Sequence, residues 1–77
     1  MDRNAEVQRL GEADRHISDA EQTIGHQMME IERLREQGHS TTLAEETLLT
    51  FQRTLAEMKE HRSIIIRTIE DIDAGLI

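Results

Sequence analysis

Along the first half of the chain Leu10, Ile17, Ile24 and Ile31 recur every seven residues, and Ala13, Ala20, Gln27 and Leu34 follow each of them by three. That is the a/d spacing of a coiled-coil seam, in which a helix keeps one narrow stripe turned toward a partner. After Gly38, His39 and Ser40 a second seam begins, stepping by four and three through Ala44, Leu48, Phe51, Leu55, Met58, Arg62, Ile65, Ile69, Ile72 and Leu76. Two helices folded back on one another pair residues whose numbers have a nearly constant sum. Leu34 with Ala44, Ile31 with Leu48, Met28 or Gln27 with Phe51, Ile24 with Leu55, Ala20 with Met58, Ala13 with Ile65 and Leu10 with Ile69 all sum to 78 or 79. Large residues fall opposite small ones at several layers, as a close-packed interface requires. The expected fold is therefore all-α: an antiparallel, coiled-coil-like two-helix hairpin forming a single domain over residues 1–77.

The boundaries follow from capping chemistry. Asp2 or Asn4 can accept a hydrogen bond from an unpaired amide of the first turn, which starts the first helix near residue 3. Gly38 enters the left-handed conformation without a Cβ clash, so that helix should stop at about 37 and the turn occupy 38–40. Ser40 or Thr42 can cap the second helix, Thr42 in a capping box with Glu45, and it should run from about 41 to 73. On loop length Ser40 is the preferred cap. Gly11 and Gly25 lie inside the first helix, where each costs about 1 kcal/mol relative to alanine. On the flanks the register brings Glu21 near Lys59 and Arg35 near Glu45, exposed pairs worth about 0.2–1 kcal/mol each.

Composition narrows the function classes. With no cysteine there is no disulfide framework and no thiolate metal site. The longest apolar run, Ile64 to Ile66, is far short of the ~18–20 residues that cross a bilayer, and the N-terminus lacks a signal-peptide pattern. A cytoplasmic, bacterial-type protein without membrane contact is the expectation. Sixteen acids against nine lysines and arginines give a net charge of −7, which disfavours a nucleic-acid partner because counterion release needs clustered cations.

Two helices can only half-cover their own seams. Ile64, Ile65 and Ile66 sweep about 200° of a helix and cannot all face one neighbour. Val7, Met28 and Ile66 take e positions, and Leu43 and Leu49 lie outside the seam. A second apolar face is implied, and burying it against another copy would make a homodimeric four-helix bundle. The alternative occupant is a different protein. The expected interface residues are Val7, Met28, Leu49, Ile64, Ile66 and Arg62.

Few side chains invite a chemical reading. His16 and His61 both take g positions and their numbers sum to 77, so they can approach one another with Glu12, Glu57 or Asp19 nearby, and a metal site can be drawn around them. They do not form the Glu-x-x-His arrangement of di-iron bundles, and the simpler reading is a pair of histidines at an interface edge. A pH-sensitive contact is a further reading of the pair. His26 is a solvent-facing c residue and His39 a loop residue. Arg62 occupies an a position opposite Ile17. Its stem can pack in the seam while the guanidinium reaches Asp14 or an acid of another subunit, setting register and assembly at some cost in stability. Met28, Met29 and Met58 read as core filler rather than as a soft-metal site. Glu32 with Glu36, and Glu70 with Asp71 and Asp73, read as solvated faces.

The run from Glu30 through Ile31, Leu34, Gly38, His39, Ser40 and Thr41, with Ala44, Leu48, Leu49, Phe51, Leu55, Met58, His61 and Arg62 beyond it, resembles a group of short alphaproteobacterial helical-hairpin proteins carrying a Gly-His-x-Thr turn. Ser40 stands where that group would have an acid. The resemblance implies a bacterial cytoplasmic setting and carries over no activity. No nucleophile is paired with a base, no cofactor is called for, and a ~300 Å3 pocket is hard to enclose in one hairpin. The expected role is a non-enzymatic interaction or scaffolding module. The competing class is a small metal- or ligand-binding bundle using His16, His61 and nearby acids.

Overall fold

The computed structural model describes residues 2–77 and contains two helices, α1 (Arg3–Glu36) and α2 (Thr42–Asp73), with no strand among the described residues. They lie antiparallel as a rod of 59 × 15 × 12 Å. Of the two candidate N-caps, Asp2 is the one used, its side chain accepting from the Asn4 amide at 3.0 Å. At the other end Gly38 takes φ 72°, and the reversal that follows satisfies two orphan carbonyls: His39 N–H donates to Leu34 O (2.9 Å) and Gly38 N–H to Arg35 O (3.1 Å). This is a Schellman stop. α2 ends the same way, with Gly75 at φ 74°, Leu76 N–H on Asp71 O and Gly75 N–H on Ile72 O.

The second helix starts differently from expectation. Thr41 is its N-cap residue and makes no side-chain cap bond, while Ser40 Oγ accepts from the Thr42 amide at a long 3.4 Å. The Thr42–Glu45 capping box does not form. Thr42 Oγ1 instead accepts from Ser40 Oγ at 3.3 Å, which keeps both hydroxyls within the turn.

Every seam residue from Leu10 to Leu34 and from Ala44 to Ile72 is buried or half-buried. Burial is deepest at Ala13, Ile17, Ile31 and Ile65. Gln27 explains itself here. Its amide donates to the Ala44 carbonyl across the hairpin at 2.9 Å, so a polar d residue ties the two helices where an aliphatic one would only pack. Leu76 does not belong to the seam, because the left-handed Gly75 turns the chain off the helix and leaves Leu76 exposed. Met28 and Met29 are not core filler either: both are exposed, since e and f positions point away from the only helix available. Met58 alone of the three is half-buried.

Among the described residues, one buried seam position carries a charge. Glu6 lies a heptad before Ala13, at a d position, and is only 7% exposed. Arg9, one turn on, donates to its carboxylate and keeps the buried charge paired. Its place in the first turn also sets it against the positive end of the helix dipole.

Candidate functional site

The two flanks of the rod differ in chemistry. Antiparallel packing puts the g positions of both helices on one side and the e positions on the other. On the g flank Ala20 stands across from Met58, and the small-against-large step opens a groove of about 300 Å3 lined by His16, Asp19, Ala20, Thr23, Phe51, Thr54 and Met58. A space of the size thought hard to enclose thus exists in a single hairpin, as a groove open to one side. Thr54 makes it less polar than its name suggests: like Thr47 and Thr68, the other g-position threonines of α2, it donates its hydroxyl to the carbonyl four residues back (3.1, 3.0 and 3.0 Å).

His16 also borders a second hollow of about 210 Å3, shared with Arg9, Glu12, Ala13 and His61. The two histidines singled out by their numbers are therefore brought to one place, together with Glu12. Asp19 lines the neighbouring groove, and Glu57 lines neither hollow. Among the described residues no three His, Asp or Glu side chains converge as a group that could hold a metal ion, and neither imidazole is hydrogen-bonded. His26 and His39 are exposed. The apolar floor of Phe51 and Met58 beside His16 suits an inserted aliphatic or aromatic side chain better than a polar substrate.

On the e flank, ion pairs stitch the helices together. Arg62 keeps its stem half-buried in the seam and donates from Nε to Asp14 at 2.5 Å, the intrachain one of its two expected partners. Arg35 reaches Glu45 at 3.6 Å, but Glu21 and Lys59 form no ion pair within 4 Å. Arg3 grips Asp73 with two hydrogen bonds of 2.7 and 3.3 Å, joining the start of α1 to the end of α2. That hydrogen bonding holds the Asp73 carboxyl below its ordinary range and raises Arg3. On the other flank, within α1, Arg33 does the same to Glu30 one turn away, with its own pKa raised in return. Around these charges Val7 (42%), Met28 (54%) and Leu49 (53%) remain exposed, with Ile66 half-buried. Ile64, 53% exposed, takes a c position and falls on the opposite flank, so the expected interface residues do not share one face. Met28 with Ile31, Glu32, Arg35, Glu45 and Leu48 borders a third hollow of about 280 Å3.

Compared with protein-family models, curated proteins and solved structures, the chain matches none. Two site features escaped the sequence reading: the Arg3–Asp73 pair and buried Glu6. Both had a signal. Running the first seam back one heptad from Leu10 and Ala13 lands on Arg3 and Glu6.

Proposed function

We propose that this chain is a non-enzymatic protein–protein interaction or scaffolding module, working in a bacterial cytoplasm and self-associating through its apolar helix faces into a four-helix bundle. One observation carries the reading. Among the described residues only four apolar ones are buried, while Val7, Met28, Met29, Leu43, Leu49 and Ile64 stand exposed within the helices. Exposed apolar surface of that extent on a helical rod is what an association surface presents. The surrounding facts agree with it. No helix among the described residues is long and apolar enough to cross a membrane, and a net charge of −7 repels a phosphate backbone.

The alternative, a metal or ligand binder at His16 and His61, is supported by their shared hollow but lacks a third converging ligand. Light scattering across concentration tests the association: a mass of twice the chain at micromolar protein is expected, and a persistent monomer overturns the reading.

A further inference from the structure

We propose that the occupant of the e flank is a second copy of this chain, docked antiparallel about a two-fold axis at Ser18, so that α1 of each copy lies along α1 of the other with Gly11 over Gly25. The proposal rests on the self-association reading and adds the face and its geometry.

Area is the first support. The chain exposes 5688 Å2 of surface. A compact monomer of its 8.9 kDa mass would expose about 4,800 Å2. The excess, roughly 900 Å2, is close to the ~800 Å2 that each partner contributes to a standard interface. A second hairpin laid along this one covers that much.

Symmetry says which partner. Between Val7 and Met28 the e and b positions of α1 read Val7, Gly11, Asp14, Ser18, Glu21, Gly25, Met28: apolar, glycine, acid, serine, acid, glycine, apolar. The order of residue classes is the same from either end. An isologous contact demands this, because residue i must meet j where j meets i. Here Val7 meets Met28, Gly11 meets Gly25, Ser18 meets itself and Asp14 meets Glu21, with numbers summing to 35 or 36; the last pair sets acid against acid and needs a cation beside it. A partner of another sequence imposes no such palindrome. The same two-fold carries the Val7 and Ile66 end of one copy onto the Met28 and Leu49 end of the other, twice over.

The hairpin gives the glycines no reason to be there. A Cβ at Gly11 or Gly25 would meet nothing within 4 Å, so alanine would fit the isolated chain at both positions and favour its helix. Close approach of a second backbone gives them one. The acids that this register brings together, Asp14 of one copy and Glu21 of the other, have cations beside them: Arg62 uses only Nε on Asp14, and Lys59 forms no ion pair within 4 Å, so both are placed to offset the repulsion.

Because the chain has no cysteine, a single introduced thiol reports proximity. Ser18 and Thr54 are both exposed, on opposite flanks, so changes there leave the fold intact, as far-ultraviolet circular dichroism checks. The expected results are a disulfide-linked dimer from Ser18→Cys with unchanged helicity, no comparable linkage from Thr54→Cys, and a dimer dissociation constant raised at least about tenfold by Ser18→Arg, which sets two guanidiniums face to face. Gly25→Ala should raise the melting temperature of the dilute monomer while weakening the dimer, opposite signs that a merely structural glycine would not give. Linkage through Thr54→Cys alone, or an unweakened Ser18→Arg dimer, overturns the assigned face and leaves self-association standing. A wild-type chain that stays monomeric overturns both.

Discussion

Ile64, Ile65 and Ile66 share one side chain and have three environments, so they separate burial from composition. Ile65 is 3% exposed and Ile64 is 53%. Ile65→Ala should cost about 2–5 kcal/mol, enough to unfold much of a hairpin this small, whereas Ile64→Ala should stay within about 0.5 kcal/mol in the dilute monomer; urea unfolding of the two variants checks both. Glu6 offers the reverse experiment. Its carboxylate is buried at a seam position that the register sets against Ile72, and replacing a buried ion pair with apolar volume is often stabilising. Glu6→Leu is expected to raise the melting temperature by several degrees, read from a thermal melt. Acid should act through the exposed pairs. Asp73 and Glu30 have lowered pKa values, so their contribution is complete above the ordinary carboxylate range and is lost as pH falls below about 4, through the lowered values. Melts between pH 7 and pH 3 should show the fall, with a shallower one in Asp73→Asn.

Each helix is held at its ends by backbone chemistry and along its length by one seam. Gly38 and Gly75 are the two described residues with positive φ, and each closes a Schellman pair of hydrogen bonds. Space around Gly38 is open, so a methyl group there clashes with nothing outside its own backbone; the strain of Gly38→Ala lies in the φ of 72°. That substitution should cost about 1–2 kcal/mol, measurable as a lower urea midpoint with unchanged slope. The α2 N-terminus is the weaker end. Thr41 supplies no side-chain cap, and the cross-hairpin bond from Gln27 to Ala44 O compensates by anchoring the first turn of α2 to α1.

As a rod with a radius of gyration of 17.6 Å, against about 11.5 Å for a compact domain of this length, the molecule holds little interior. Its stability is therefore tied to whatever covers the flanks. If a second copy does so, the melting temperature should rise with protein concentration by mass action, and thermal melts between about 1 and 100 μM check it. The two flanks divide the work: the g flank offers a groove floored by Phe51 and Met58, and the e flank offers a hollow beside Met28 and Leu48 with small residues along the middle of α1.

Periodicity was enough to read two helices, their bend and their pairing, and to narrow Arg62 to Asp14 or an acid of another subunit, because a seven-residue repeat with one glycine break admits few packings. Sequence also brought His16 and His61 together and marked Arg35 for Glu45. It did not reveal the groove beside Phe51, which exists only because Ala20 and Met58 differ in size across the seam, nor that Glu21 and Lys59 stay apart. Burial of Glu6, exposure of Met28 and Met29, and the departure of Leu76 from the seam likewise needed the folded chain. Those outcomes depend on which neighbour lies within a few ångströms, a property of two helices in contact that neither strip of sequence carries alone.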